Sequence, residues 1–242
     1  MAQMRLILFL KANLSDQSVL HNFGGIIAIM DISIFDAIFE EGILNSKSDK
    51  QRKILEASIK LFAEKGYANT STAEIAKCAN VSVGTLFNYY KTKEKLLFAI
   101  VLPAITSIFP KIVLESDQKL VLQLSTSFEE FVKGIIKSKL VFLDKNRELI
   151  QVIIKEVLYK GELKSEILNH FTTYGLPFLN HSVAHFKDNG ELKDLPTEQI
   201  VRFIITNLSG FFISHMLIQP NTLVSENEID ELISTMMDGL KR

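Results

Sequence analysis

The sequence predicts an all-α protein with a short N-terminal set of three helices and a longer C-terminal helical body. Two observations support this fold class. Apolar residues recur at intervals of three and four along most of the chain, and no segment shows the apolar–polar alternation of a strand. Capping residues also stand where several of these apolar stripes begin and end. With 47% apolar residues among 242, the chain has ample material for its cores.

Three short helices are predicted between residues 50 and 97. The first has an apolar stripe and ends at Gly66, which tolerates the left-handed conformation of a helix cap. The second begins at Ser71, and Glu74 three residues later completes a capping box. It ends at Asn80, since asparagine tolerates a positive φ in a tight turn. The third helix begins at Ser82, a good N-cap residue.

The outward face of the third helix carries the clearest functional signal. Leu86 and Tyr90 share one face, whereas Thr85, Asn88 and Tyr89 line up on the opposite face. Small, polar and aromatic side chains on an exposed helix suit contacts with base edges and phosphates. Three lysines follow at positions 91, 93 and 95. This spacing is typical of a helix-turn-helix, in which the third helix enters the major groove of DNA.

Three runs occur in order between Lys50 and Leu97: F-A-E-K-G-Y, then T-S-T-A-E-I-A, then V-S-V-G-T-L-F-N-Y-Y-K-T-K-E-K-L. Together they resemble the DNA-binding domain of TetR-type bacterial transcriptional regulators. The resemblance implies a cytoplasmic homodimer, most often a repressor, that binds a pseudo-palindromic double-stranded DNA operator and responds to a small-molecule effector. By this resemblance the predicted DNA-contacting residues are Ser71, Thr72, Ser82, Gly84, Thr85, Asn88, Tyr89 and Lys93. Of these, Asn88 is predicted to contact a base, and Lys93 to pair with a phosphate.

Three residues depart from that family's pattern. Phe87 stands where tyrosine is usual, Tyr90 where phenylalanine is usual, and Val83 where a polar or basic residue is frequent. Phe87 therefore lacks a hydroxyl that would reach a phosphate, and the buried hydroxyl of Tyr90 needs a hydrogen-bond partner. These differences leave the operator sequence open, whereas the predicted mode of binding is unchanged.

The net charge of −1 conceals an asymmetry along the chain. Residues 47–97 contain ten basic and five acidic residues, and the remainder contains 17 basic and 23 acidic residues. A basic module on an acidic body favours an anionic partner at one end, although the same count also fits an ordinary solvated surface.

Cys78 is the single cysteine, which excludes an internal disulfide and fits a reducing compartment. We expect its thiol to be buried.

The sequence gives little support to an enzyme. It contains no glycine-rich phosphate loop, nucleophile elbow or metal-hydrolase motif, and no cofactor is predicted. His181 and His185 are four residues apart and could share a metal ion. Without a third ligand at fixed spacing, neutral hydrogen-bonded histidines are the better interpretation, and no metal site is predicted.

The chain is predicted to divide into an N-terminal extension at 1–46, a DNA-binding domain at 47–97 and a ligand-binding and dimerisation domain at 98–242. The extension lies outside the resemblance, and its apolar run at residues 6–10 is too short for a signal peptide. We expect the native start at Met30. The alternative is a genuine arm that packs on the body or contacts DNA.

Body helices are predicted near residues 92–109, 127–143, 147–159, 164–187, 197–218 and 225–241, with breaks or kinks at Pro103, Gly161, Pro177 and the loop 190–196. The segment from Ile200 to Ile218 is the most apolar, but Arg202, Asn207 and His215 would be costly in hydrocarbon. A buried helix of a soluble bundle is therefore predicted rather than a membrane span. By the resemblance, 197–218 and 225–241 form the dimer interface.

An effector cavity is expected in the helical body. Its predicted ligand-binding residues are Phe109, Phe171, Tyr174, Phe178, Phe211 and His215, with Phe203 and Phe212 as further lining candidates. Aromatic residues at helical spacing more often belong to the core, so each assignment competes with a packing role. Two other classes also stay open: an adaptor that reuses the fold without specific DNA binding, and an all-α small-molecule-binding protein.

Overall fold

The structure is a computed structural model that describes residues 33–34, 48–108, 127–219 and 222–242. Within these ranges the chain forms helices and no strand, which confirms the all-α prediction. The helices are α1 (Asp49–Lys65), α2 (Thr72–Cys78), α3 (Val83–Tyr89), α4 (Lys93–Pro103), α5 (Phe128–Lys145), α6 (Arg147–Val157), α7 (Gly161–His170), α8 (Leu176–Asp188), α9 (Thr197–Ile213) and α10 (Glu226–Leu240).

The predicted C-terminal end of α1, both ends of α2 and the start of α3 are confirmed. Gly66 follows α1 with a φ of 82°, and Asn80 follows α2 with a φ of 53°. Ser71 and Glu74 form the capping box of α2. Ser82 caps α3, its hydroxyl accepting a hydrogen bond from the Thr85 amide at 3.0 Å. Local residue chemistry therefore fixes where these short helices begin and end.

Three single π-helical turns adjoin the helices of the body. These turns are Ala104–Ile108 after α4, Phe171–Gly175 between α7 and α8, and Ser214–Ile218 after α9. The α-helical part of α4 ends at Pro103, and Pro177 lies just after the second turn, close to where the sequence predicts kinks. Single π-turns are rare and frequently mark functional sites, which directs attention to the helical body.

A first hydrophobic core joins the N-terminal helices to the body. It contains Ile54 and Phe62 of α1 and Leu86 of α3, together with Val152 and Ile153 of α6. Helix α1 lies along α6, so the helix-turn-helix rests directly on the body. The domain boundary after Leu97 stays a prediction, because the buried residues on its two sides form one cluster.

A second core lies within the body, where α5, α8, α9 and α10 pack together. Its centre is a group of phenylalanine rings: Phe186 lies 5.3 Å from Phe128 and 5.4 Å from Phe131, measured between ring centroids. The loop after α8 is tied to the end of α10 by an isolated bridge between Leu192 and Lys241. Helices α9 and α10 also contact each other.

Ser33 and Ile34 are the part of the N-terminal extension that the structure describes. Ile34 is fully buried in the first core, and its amide donates to Asn146 Oδ1 at 2.7 Å where α5 meets α6. A start at Met30 would retain this contact, so the expected native start stays a prediction.

One expectation about α2 is wrong. The thiol of Cys78, predicted to be buried, is exposed. The seven-residue helix buries only a narrow face, made by Ile75 and Ala76 and continued by Ala79. Position 78 lies on the other side of α2, because successive residues are about 100° apart around a helix.

Candidate nucleic-acid interface

Helices α2 and α3 are held in a helix-turn-helix by a short hydrogen-bonded turn. The Val81 amide donates to Ala76 O at 2.9 Å, and the Asn80 amide donates to Lys77 O at 3.2 Å. The positive φ of Asn80 reverses the chain before Ser82 caps α3. Leu86, fully buried, and Tyr90, nearly so, then anchor α3 and its C-terminal end on the first core. The opposite face of α3 is consequently presented to solvent.

The outward face of α3 carries five of the predicted DNA-contacting residues, namely Ser82, Gly84, Thr85, Asn88 and Tyr89. All are exposed except Thr85, which is half-buried. The Ser82 and Thr85 hydroxyls share a hydrogen bond of 2.9 Å, and the Tyr89 hydroxyl bonds to Ser48. In the described part of the chain the side-chain amide of Asn88 makes no hydrogen bond, so its NH2 donor and its oxygen acceptor are both available to a base edge.

Two departures from the family pattern lie on one flank of α3. Val83 and Phe87 are four residues apart, and 41% and 38% of their surfaces are exposed. The third departure, Tyr90, has the hydrogen-bond partner that its burial requires, because Gln51 Nε2 of α1 donates to its hydroxyl at 3.1 Å. Burial raises the pKa of Tyr90. Tyr90 thus fixes α3 to α1, whereas Val83 and Phe87 have large apolar surfaces open to solvent.

The start of α2 contains Ser71 and Thr72, which are predicted to meet phosphates. The Ser71 hydroxyl donates to Glu74 Oε2 at 2.8 Å and accepts from the Glu74 amide, so it already serves the cap. Lys65 of α1 donates to the other Glu74 oxygen at 2.8 Å. The hydrogen bonds from Lys65 and Ser71 lower the pKa of Glu74 to about 2. Thr72, half-buried, opens the helix beside this ion pair.

Lys93 lies at the first position of α4, where its ammonium group faces the loop between α1 and α2. It donates to the carbonyl oxygens of Tyr67 at 2.8 Å and Thr70 at 2.9 Å, and it lies 4.3 Å from the centre of the Tyr67 ring. The predicted phosphate contact stays a prediction for the DNA complex. In the free protein these contacts hold Lys93 on the loop that precedes α2.

A polar joint connects the helix-turn-helix to the end of α6, and sequence reasoning missed it. Lys155 donates to Ala63 O of α1 at 2.8 Å, and Lys160 forms an ion pair with Glu94 of α4. Glu156 accepts a hydrogen bond from the Tyr67 backbone, and its burial raises the pKa of its carboxyl group. No spacing rule relates these residues, because they come from distant parts of the chain.

The predicted ligand-binding residues lie at separate places in the body, and Phe109 is outside the described residues. Phe178 and Phe211 pack against the second core. Phe171 is half-buried and Tyr174 is exposed in the π-turn between α7 and α8. His215 is buried in the π-turn after α9, where its Nε2 lies 2.8 Å from Asp144 Oδ1. Packing or hydrogen bonding thus accounts for three of the six in the free protein.

His170 is not among the predicted ligand-binding residues, yet its Nδ1 is buried without a hydrogen-bond partner in the described part of the chain. It precedes the π-turn Phe171–Gly175, and its ring stacks on Tyr174 with 5.9 Å between the ring centroids. An unsatisfied buried nitrogen is costly, so each one in a folded protein calls for an explanation. The sequence offers no signal for it, since a histidine in a helix usually finds a partner.

The structure shows two further features that bear on other kinds of site. An open cleft of about 380 Å³ lies between the start of α5 and the end of α10, and no predicted ligand-binding residue lines it. Its lining residues are Glu129, Ser234, Met237, Asp238, Lys241 and Arg242. Among the described residues no group of three metal-ligating side chains converges, and His181 and His185 are exposed.

Comparison with known proteins adds an independent line of evidence. Residues 54–100 match the sequence pattern of the tetR family of bacterial regulatory proteins. The HTH-type transcriptional regulator YhgD of Bacillus subtilis is 30% identical over 126 residues, which cover 47% of this chain and 62% of YhgD. The first curated relatives are matched over only 18% to 62% of their own length.

Two solved structures share the fold. The ketosteroid transcriptional regulator KstR2 of Mycobacterium tuberculosis has a TM-score of 0.62 at 16% identity, covering 82% of this chain and 97% of KstR2. The transcriptional regulator FadR of Bacillus subtilis, in complex with stearoyl-CoA, has a TM-score of 0.54 at 19% identity, covering 77% and 95%. At these identities the similarity establishes the common architecture.

Proposed function

We propose that this chain, whose DNA-binding domain belongs to the tetR family of bacterial regulatory proteins, is a cytoplasmic transcriptional repressor. It binds a pseudo-palindromic operator as a homodimer and responds to a small-molecule effector. The observation that carries the proposal is the geometry of α3, which is anchored by Leu86 and presents the free amide of Asn88 to solvent. A short helix held in this way suits insertion into the major groove.

Asn88 is the central DNA-reading residue in this proposal. Its unpaired amide suits a bidentate contact with adenine. Gly84, one turn earlier, has no side chain that would separate α3 from the groove. Ser82, Thr85 and Tyr89 flank them, and Ser71 and Thr72 approach the phosphates from the start of α2. In a dimer, two such modules would bind half-sites one helical turn, or a multiple of it, apart.

Fluorescence polarisation on DNA flanking the protein's own gene tests the proposal, at two salt concentrations and with competitor DNA. We expect tight, salt-sensitive and sequence-specific binding. Asn88→Ala should weaken operator binding by about 1–3 kcal/mol and relax specificity at one base position. Asn169→Ala, an exposed asparagine in α7, is the matched control and should bind as the parent does. Salt-independent or absent duplex binding would favour the adaptor alternative.

The proposed dimer interface is formed by α9 and α10. The segment Thr197–Ile218 is long and apolar enough to span a membrane, and only 33% of its most apolar part is buried within the chain. It packs one face on the second core and leaves Phe203 and Ile213 exposed, with small residues Thr206 and Gly210 between them. A second copy of the same surface would cover this apolar stripe and let the helices approach closely.

Sedimentation velocity tests the interface. Gly210→Arg places a long charged side chain in the exposed stripe, where a Cβ atom added to the glycine would meet no atom of the described chain within 4 Å. We expect a dimer for the parent and a folded monomer for the variant, with weaker operator binding. Ser165→Arg, on the exposed face of α7, should stay dimeric. A monomeric parent that partitions into membranes would contradict the proposal.

The effector would bind in the body beside the π-turn Phe171–Gly175. His170 Nδ1 offers a buried hydrogen-bonding atom, and Phe171 and Tyr174 supply aromatic surface next to it. Such a site suits an apolar chain that ends in a polar group. The similarly folded FadR was solved in complex with stearoyl-CoA, whose stearoyl chain is apolar. Effector binding and DNA binding would then each weaken the other.

Release of labelled operator DNA tests this part of the proposal, with stearoyl-CoA, oleic acid and choline as the first probes. We expect a probe with a long acyl chain to release DNA and choline to have no effect. His170→Phe should reduce the response to that probe at least tenfold while operator affinity is retained. His181→Phe, an exposed position on α8, is the control. An unchanged response in His170→Phe would exclude this location.

A further inference from the structure

We propose that Val83 and Phe87 read thymine methyl groups in the operator, so that the half-site carries thymines along one flank of α3. This inference rests on the proposed function, because it requires α3 to lie in the major groove. The inference also gives a role to Val83 and Phe87, at which this chain departs from the usual polar pattern. Neither side chain can form a hydrogen bond with DNA.

The exposed apolar strip has no structural explanation within the described part of the chain. Helix α3 is already anchored by Leu86, which is fully buried, and by Tyr90, which is 6% exposed. Val83 and Phe87 are 41% and 38% exposed on a helix of seven residues. Valine is also an unfavourable residue in an exposed helix, because its branched side chain loses rotamer freedom. Covering this strip with an apolar group would be favourable.

Several polar side chains of α3 already form hydrogen bonds inside the protein, which reduces the number of bases that they can recognise. The hydroxyls of Ser82 and Thr85 share one hydrogen bond, and Tyr89 is bonded to Ser48 at the start of α1. Phe87 has no hydroxyl, and Asn88 therefore supplies the free side-chain amide of this surface. One amide can identify about one base. Further discrimination along α3 would have to come from apolar contacts.

Thymine offers the matching group. Its C5-methyl is the apolar feature that a base pair presents in the major groove, and aliphatic and aromatic side chains contact it favourably. Val83 and Phe87 are one helical turn apart, about 6 Å along the axis, which spans close to two base-pair steps at ~3.4 Å. The two side chains would therefore contact methyl groups about two base pairs apart, near the base that Asn88 contacts.

Deoxyuridine substitution tests the inference, because it removes the methyl group and changes no hydrogen-bonding atom. The operator is first selected from a random duplex pool with the full-length protein, and each thymine of a half-site is then replaced in turn. We expect one or two positions at which the methyl loss weakens parent binding about fourfold each, the effect of burying one methyl-sized group. Affinities are measured by fluorescence polarisation at constant salt.

Variants assign each methyl to a side chain. Phe87→Ala should bind the thymine operator more weakly and lose the discrimination at one position, and Val83→Ala should do the same at the other. Phe87→Tyr retains the ring and should keep the parent's methyl sensitivity. Asn88→Ala should weaken binding but should also keep the parent's methyl sensitivity. Circular dichroism checks that each exposed substitution leaves the helix content unchanged.

The outcomes separate the two proposals. Failure to select any preferred duplex would overturn the proposed function, and this inference with it. Sequence-specific binding that ignores every deoxyuridine would overturn this inference alone. Methyl sensitivity that survives in both Phe87→Ala and Val83→Ala would also overturn it, since other residues would then make the contacts.

Discussion

At Gly84 a single substitution should change folding stability and DNA binding in opposite directions. A Cβ atom at this position would lie 3.8 Å from Ser82 Oγ, an ordinary van der Waals contact. Gly84→Ala should therefore fold normally, and its better helix propensity should add about 0.5–1 kcal/mol of stability. In the DNA complex the added methyl would separate α3 from the groove, so operator affinity should fall.

Thermal melting and fluorescence polarisation check both halves of this prediction. Gly161→Ala is a suitable control, since it stands at the start of α7 and its added Cβ would meet no atom of the described chain within 4 Å. That variant should bind DNA as the parent does. Equal operator affinity for Gly84→Ala and the parent would show that α3 does not approach the groove closely.

Lys93 is a residue whose role differs between the free protein and the predicted complex. Its ammonium group donates to carbonyl oxygens of the α1–α2 loop, including those of Tyr67 and Thr70. Lys93→Met keeps most of the side chain and removes these charge-assisted bonds, so unfolding free energy should fall by about 1–2 kcal/mol. Lys91→Met, at an exposed neighbouring lysine, should leave stability unchanged.

Urea denaturation and the salt dependence of DNA binding distinguish the two roles of Lys93. A phosphate contact, as predicted from the sequence, would reduce the salt slope by about one and weaken binding to all duplexes alike. A purely positioning role would lower stability and leave that slope unchanged. Unaltered stability in Lys93→Met would contradict the contacts between its ammonium group and the loop.

At the scale of an element, the capping box of α2 makes a prediction about pH. The Lys65 ammonium and the Ser71 groups lower the pKa of Glu74 from 4.5 to about 2. Because the folded-state pKa is below the unfolded value, the carboxylate stabilises the fold above about pH 4.5, and this contribution is lost as the pH falls toward 2. Nuclear magnetic resonance titration of the Glu74 carboxyl carbon should give a midpoint near 2.

Ser71→Ala should raise this midpoint toward the ordinary value, since it removes the hydroxyl that donates to Glu74. Lys65→Met should raise it further, because Lys65 makes the largest contribution to the shift. Ser225→Ala at the second capping box, on α10, should leave the Glu74 midpoint unchanged. A parent midpoint near 4.5 would mean that the cap does not form in solution.

The elements also show what could be predicted from the sequence. The C-terminal cap of α1, the capping box of α2, the N-cap of α3 and the position of α10 near residues 225–241 follow from neighbouring residues, so they could be predicted by local rules. The exposure of Cys78 depends on how narrow a face of α2 is covered. The contacts of Lys155 with α1 and of Lys160 with α4 join residues that are more than 60 positions apart, and periodicity carries no information about such pairs.

For the candidate site, the sequence located the face of α3 because helical spacing alone places Thr85, Asn88 and Tyr89 away from Leu86. It did not reveal which of their polar atoms are already bonded, since the partner of Tyr89 is Ser48, 41 residues earlier. The unsatisfied buried nitrogen of His170 could likewise not be predicted from the sequence, because it depends on which atoms surround it in three dimensions.

On the scale of the whole molecule, the continuous first core predicts that the helix-turn-helix depends on the body for its stability. Val152 and Ile153 of α6 are buried in the same cluster as Ile54 and Phe62 of α1. A fragment of residues 48–108 would expose the face of α1 that α6 covers, so we expect it to show little helical circular dichroism at about 25 °C. The full chain should instead unfold with the helix-turn-helix and α6 in one transition.

Ile153→Ala in the full chain tests the same coupling without truncation. The substitution lies on the body, yet it should destabilise the helix-turn-helix by about 2–4 kcal/mol, because the cavity opens in the core that both parts share. Hydrogen exchange of the α1 and α3 amides should accelerate together. Ile233→Ala, buried in the second core on α10, is the control and should accelerate exchange in the body first. Should the fragment 48–108 fold independently and α1 exchange be unaffected by Ile153→Ala, the two parts would be separate units. A signal from the body would then reach α3 through α4 or through the polar contacts of Lys155 and Glu156, and not through a shared core.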